Sequence, residues 1–535
     1  MKRQSNTLLL LALAAGPLAA QPIVTSWYTE QSGGYARIYE TTAAESAGAS
    51  VTTWSRGRGV QAQPTYAGVH EVSVTDTNVY IRTSGLGFHV MGPWYGNEAK
   101  TNLFVNYPAN QAIIYELPLD PGIIPSFKSG TGLGATGYFV DGIAMFDSRD
   151  AFSYSTSSAT DARPNNGVQG DAVWNRDAYV NESVTFDPAN AHQAGANHHY
   201  HANPPALRHL LGDAVSYDSA TNRYTEQIGG NSTHSPIIGW VLDGLPIYGP
   251  YGYNSPMDPA SDIRKMVTGY QKRDGVNGST SLTFTGRTTL PQWMARNDSS
   301  VSSTTLATNR YGPDVNATYT LGHYLEDYAY KGDLTGLALY DGTGVFNANT
   351  HFDLNEYNVR YCVTPEFPEG TWAYFTCIED DGTPEFPYNI GRYYFGAPQG
   401  DRVNSIPSEA TIVFQGGPEA APQVTSFTAD AQSDTITIAW SGADGGSYVI
   451  KQSADFDQWI QISNPVAVDA NQEASTTETA GLSEADSLFY RVELSDVADF
   501  DDAGFDLSIP TSSQTPSGET TFQVSFSTTP PLPPQ

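Results

Sequence analysis

Six of the ten histidines in this chain of 535 residues, His192, His198, His199, His201, His209 and His234, fall between residues 192 and 234. The segment HHYHANPP orders them His198, His199, Tyr200, His201. If it is extended, alternation puts His199 and His201 on one face and His198 and Tyr200 on the other. Two imidazoles on one face can hold one metal ion, and neutral imidazole is the commonest protein ligand of zinc and copper, whose sites take three or four donors. His234, tethered by the Ser-Pro that follows it, is the third expected donor, and His198 or one nearby acid completes the set. The expected cofactor is a divalent ion, zinc or copper before calcium. His209, between ALR and LL, reads as a partly buried structural histidine, and His192 sits in an Asn/Ala loop.

The later half supplies acids. Glu326 and Asp327 beside His323, then His351, Asp353 and Glu356, could give hard oxygen ligands or a general base beside a metal-bound water. Asp353 and Glu356 are the catalytic candidates, and the plain alternative for each is a solvated loop acid. The chain has no GxSxG elbow, HExxH, phosphate-binding GxxxxGK[ST] or dinucleotide fingerprint, which removes the serine-hydrolase, zincin, nucleotide and NAD readings.

These residues need elements to hold them. The sequence has 50 Gly, 34 Pro and 32 Tyr. Its short apolar runs are broken by Gly, Asn and Asp, which favours strands and turns. The fold class expected is mainly β: a mixed, β-rich domain followed by a small β-sandwich. GYFVDGIAMF (137–146) and GWVLDGLPIY (239–248) match in kind, each with an Asp-Gly pair between apolar runs, so two related hairpins are expected. Asp141 and Asp243 are then turn residues first and ligands second. Just upstream, Gly132 in the first copy corresponds to His234 in the second, which looks more like site chemistry than hairpin architecture. Asn277 to Val315, rich in Ser, Thr, Gly and Asn, reads as a long surface excursion.

The domain reading is a signal peptide at 1–20, a strand-rich lead-in at 21–59, the main domain at 60–400, a linker at 401–421, a sandwich at 422–495 and a tail at 496–535. Lys2 and Arg3, the apolar Leu8 to Ala15 and Leu18-Ala19-Ala20 make up the secretory signal. The expected product is periplasmic or extracellular. No later stretch reaches the ~20 apolar residues of a membrane helix, so no membrane insertion is expected. A net charge of −31 argues against nucleic acid and anionic lipid as partners. In the sandwich, TITIAW, SYVIKQS, QWIQIS and LFYRVEL alternate between turn residues. The two cysteines, Cys362 and Cys377, flank the turn-forming PEFPEG segment, where a hairpin would bring them close to opposite each other. A disulfide is expected in an oxidising compartment, with buried free thiols as the competing reading.

With these pieces assembled, the chain resembles the YHYH domain family, bacterial exported proteins named for a Tyr-His-Tyr-His signature. The matching segments are MGPW (91–94), HHYHANPPAL (198–207), HSPIIGWVLDGLPIYGPYGY (234–253), LEDYAY (325–330), DLNEYN (353–358), TPEFPEGTWAYF (364–375) and FPYNIG (386–391). His199 and His201 keep the two histidines of the signature, whereas His198 stands where it has its first tyrosine. The C-terminal sandwich resembles a divergent fibronectin type III-like module, a spacer or binding platform. The resemblance implies export and a shared fold, and no particular reaction. Two functions stay open: a metal-dependent hydrolase or oxidase acting on a small-molecule or extracellular substrate, and a non-catalytic metal-binding or surface-interaction protein.

Overall fold

The computed structural model describes residues 21–29, 34–122, 124–229, 232–297, 303–334 and 352–416, and beyond these 423–430, 432–442, 447–454, 459–467, 473–479, 487–494 and 520–525. The expected signal at 1–20 lies outside the described residues.

β-Branched and aromatic runs punctuated by turn residues fold as short strands. Those that carry the core are, in chain order, β1 (Val69–Val74), β2 (Asn78–Thr83), β3 (Ile113–Pro118), β4 (Ala135–Phe139), β5 (Ala144–Phe146), β6 (Ala191–Ala194), β7 (Asn197–Tyr200), β8 (Ile237–Val241), β9 (Pro246–Tyr248), β10 (Val359–Cys362), β11 (Thr371–Phe375), β12 (Asp401–Val403) and β13 (Thr411–Gln415). One sheet runs β6-β7-β5-β4-β8-β9-β11-β10, and a second runs β12-β3-β2-β1-β13. They share one apolar core, in which Tyr115 of β3 stacks on Tyr138 of β4 with ring centroids 3.5 Å apart. Ile23, Val24, Trp27 and Ile38 of the lead-in are buried in that same core.

The larger sheet has an internal two-fold relationship. The β4–β5 and β8–β9 hairpins lie side by side, with Tyr138 facing Trp240, Gly137 facing Val241 and Phe139 facing Gly239. Outside each, a strand from another hairpin is added in parallel: β7 beside β5, and β11 beside β9. The Asp-Gly turns are as expected. Gly142 and Gly244 take φ of 83° and 81°, a region that costs other residues strain. Asp141 and Asp243 each accept the backbone N–H two residues on, and Asp243 also holds the Tyr374 hydroxyl at 2.7 Å.

Three expectations about extent need correction. Residues 401–415 are not a linker, because β12 and β13 form the two edges of the second sheet. The stretch after Asn277 is not only surface, because Trp293 is buried and gives its indole N–H to the Tyr328 carbonyl. The sandwich does not end at 495, because Thr520–Ser525, in the segment expected as a tail, pairs antiparallel with Ser487–Leu494. In the C-terminal part, Gln423–Asp430, Thr435–Ser441 and Glu473–Thr479 form one sheet, and Ser447–Ser453 joins Ser487–Leu494 in another. The two share a core of Ile436, Ile438, Trp440, Tyr448, Ile450, Leu488, Tyr490 and Val492.

The expected Cys362–Cys377 disulfide is absent, and both cysteines are buried free thiols. The hairpin register explains this. Cys362 faces Thr371, and Cys377 lies beyond the end of β11 at Phe375. At ~3.3 Å per residue the two are about 20 Å apart along the hairpin, far outside the ~7 Å Cα reach of a disulfide.

Candidate metal centre

The β6–β7 hairpin turns through Gly195-Ala196, and its ladder sets His192 directly opposite His199. His201, one residue past the end of β7, emerges on the same side as His199. The three donor nitrogens lie within 4.8 Å of one another, and the Nε2 atoms of His199 and His201 are 3.0 Å apart. All three rings are buried. Phe146, at the end of β5, stacks on His199 at 3.9 Å, and Phe186 lies edge-on to His192 at 4.7 Å.

A layer of hydrogen bonds sets the tautomers. His199 Nδ1 donates to the Asn197 carbonyl at 3.0 Å, and His201 Nδ1 to the Asp147 carbonyl at 2.7 Å. The Thr185 hydroxyl gives its only proton to the Glu182 carbonyl, so it accepts from His192 Nδ1 at 2.7 Å. All three protons therefore sit on Nδ1 and leave three Nε2 lone pairs converging. Fixing a ring through its outer nitrogen is how proteins orient metal-ligating histidine. Two lone pairs at 3.0 Å repel unless a cation lies between them. A proton serves poorly, because burial and then the neighbouring imidazoles push His192 and His199 well below the usual histidine range. Burial likewise lowers His201, offset in part by the Asp147 carbonyl.

Glu182 ends helix α1 (Ala178–Glu182) and brings Oε2 to 3.5 Å from His201 Nε2 and 3.7 Å from His192 Nε2. Ligands at ~2.0–2.1 Å around a tetrahedral zinc are roughly 3.3 Å from each other, so this carboxylate stands where a fourth donor would. Burial, followed by the charges of Asp150 and Asp177, raises its pKa to about 8. Its side chain, 26% exposed, is the one member of the set that reaches solvent.

The YHYH protein family matches residues 114–388, just over half of the chain. This is a YHYH protein. No curated protein and no solved structure matches it. The matched span holds Glu182, His192, His199 and His201.

Other residues singled out in the sequence of this YHYH protein lie elsewhere. His198 points to the opposite face of β7, against Trp94 at 5.8 Å. His234 does not join His199 and His201. It packs between Tyr248, Tyr253 and Phe375, with Nδ1 on its neighbour's Ser235 carbonyl. Tyr248 is the two-fold counterpart of Phe146, so His234 occupies the other half of the sheet, roughly 19 Å away at ~4.8 Å per strand from β7 to β9. His209, on helix α2 (Pro205–Leu210), shares a hydrogen bond with the Val215 carbonyl.

The acids are engaged in ion pairs and hydrogen bonds. Asp353 takes both arms of Arg264 at 2.6 Å, and Glu356 pairs with Arg296 at 2.7 Å. Asp327 holds the buried Arg287, Glu326 accepts from Asn175, and His323 pairs with Asp161. His351 lies outside the described residues. Neither His192 nor Glu182 was among the donors expected from the sequence. The first had a signal, since a tight turn at Gly195-Ala196 pairs His192 with His199; nothing local marks Glu182.

Proposed function

We propose that this YHYH protein is an exported metal-binding protein that holds a divalent transition ion at His192, His199 and His201, with Glu182 as fourth donor. The carrying observation is the facing pair of Nε2 atoms at 3.0 Å whose Nδ1 protons are committed to carbonyls. Three nitrogens and one carboxylate suit zinc or copper(II) and not calcium, which takes six to eight oxygens. Four protein donors make a closed set, the pattern of a site that holds its ion rather than one that turns over substrate. This favours the non-catalytic reading, with the C-terminal fibronectin-like module as spacer.

The enzymatic reading has one observation behind it, the partial exposure of Glu182. Release of that carboxylate would open a coordination position, and a bound divalent ion there would supply Lewis-acid chemistry. Export rests on the basic start at Lys2 and Arg3 and the apolar Leu8 to Ala15. Among the described residues no helix is long and apolar enough to cross a membrane.

Elemental analysis of full chain purified without a histidine tag tests the site: an ion retained through dialysis by the wild type and lost in His201→Ala supports it, and equal retention by both overturns it. Cobalt(II) substitution separates the two functions when read on the part of the spectrum that His201→Ala removes. An intense visible spectrum unchanged by azide marks a closed four-donor site, and new bands on azide addition mark an open position and favour the enzyme.

A further inference from the structure

The opposite face of the same strand carries a second group of donors. His198 is wholly buried on the side of β7 away from His199, and His89 and Asp187 approach it from two other segments. The donor atoms of the three lie within 4.8 Å of one another, and His89 Nε2 is 4.0 Å from Asp187 Oδ2.

Both nitrogens of His89 and both of His198 are shut off from solvent with no hydrogen-bond partner. The His192 backbone approaches the His198 ring but closes no hydrogen bond of ordinary geometry. A neutral imidazole carries one donor and one lone pair, so two donors and two acceptors are left unmet in a place where polar groups are normally paired. Asp187, by contrast, is held firmly. Its Oδ2 accepts from Gly92 N at 2.8 Å, and its Oδ1 accepts from Ala189 N at 2.9 Å and Ala191 N at 3.1 Å. A fixed carboxylate beside two imidazoles without hydrogen-bond partners is a donor set of the kind that suits a divalent transition ion.

We infer that His89, Asp187 and His198 form a second, separate site for a divalent transition ion, back to back with the first across the β6–β7 hairpin. The segment 182–187 serves both sites, giving Glu182 and Thr185 to one and Asp187 to the other. His89 lies outside the family-matched residues 114–388, so this ion would tie that region to the segment before it. Asp187 also borders a surface depression of about 260 Å³ with Pro93, Tyr95 and Phe186. Two nitrogens and one carboxylate leave a fourth position to solvent or a small ligand.

The test counts zinc bound to full chain after loading with zinc alone and dialysis against a weak chelator. Two ions per wild-type chain are expected, with one each in His89→Gln, His198→Asn and His201→Ala. One ion in the wild type, kept by His89→Gln and lost in His201→Ala, overturns the second site while leaving the first. One ion lost in His89→Gln and kept in His201→Ala supports this site and sinks the first. Because a change at buried His198 can fail to fold, the wild-type count and the His89→Gln count are decisive together: two falling to one supports the site, and an unchanged count overturns it.

Discussion

His199 and His201 meet Nε2 to Nε2 at 3.0 Å, with their remaining ring protons held by the Asn197 and Asp147 carbonyls. Residues two apart on an extended segment share a face, but this contact also needs β7 laid parallel to β5, which brings the Asp147 carbonyl under His201. The pair is thus a local pattern completed by a distant strand.

His192→Ala and His201→Ala are each expected to lose the same ion, whereas His209→Ala and His234→Ala keep it. An ion at 100 times its dissociation constant stabilises the fold by about 2.7 kcal/mol, so both ligand variants should melt earlier, and a strong chelator should lower the wild type toward them. Elemental analysis and calorimetry check this.

Asp353→Asn should cost about 2–3 kcal/mol, because it weakens a buried carboxylate that holds Arg264 and lies 3.9 Å from buried Arg360. Glu356→Gln faces Arg296, which is 43% exposed, and should cost under about 1 kcal/mol. Denaturant unfolding measures both, and bound metal should not change. Metal loss without destabilisation in Asp353→Asn would restore that residue to the site.

His70 is buried with Nε2 on the Tyr66 carbonyl at 3.0 Å. Burial lowers its pKa to about 4, the Tyr66 carbonyl opposes this, and the Arg82 charge adds to it. The folded value lies below the unfolded value of about 6.5, so the unfolded chain takes up the proton first. This contribution to stability is full above pH 6.5 and is lost as pH falls toward 4, up to roughly 3 kcal/mol. His70→Gln should therefore gain stability relative to the wild type over that window, as paired denaturant curves would reveal. An unchanged difference between pH 7 and 4 would contradict it.

Thiol titration in denaturant without reductant should find two free thiols per chain, and the native protein should react slowly at pH 8. Burial raises both thiols, Cys362 to about 11 with partial relief from Arg360, so neither forms appreciable thiolate while folded. No free thiol in denaturant would restore the disulfide.

A chain ending at residue 416 should keep the melting transition of the two-sheet unit, and one ending at 400 should lose about 2–4 kcal/mol. The shorter chain lacks both edge strands of the second sheet, and with them Val413 and Phe414, which pack on the core.

The sequence by itself determined what local geometry dictates. Alternation put His199 and His201 on one face and His198 on the other, the Asp-Gly pairs made hairpins, and turn-rich aromatic runs made strands. It also revealed two similar hairpins, yet not that a two-fold relationship would carry His234 into the opposite half of the sheet. Tertiary structure decided the rest: His192 across the ladder, Glu182 from α1, His89 and Asp187 behind β7, and arginine partners for Asp353 and Glu356. The Cys362–Cys377 pairing failed for the same reason, since a hairpin's register depends on which residues its core buries. A side chain's direction from its own strand is a short-range property of the backbone. The residues it meets are chosen by strand order and register, which are set by the burial of the whole core and written in no single segment.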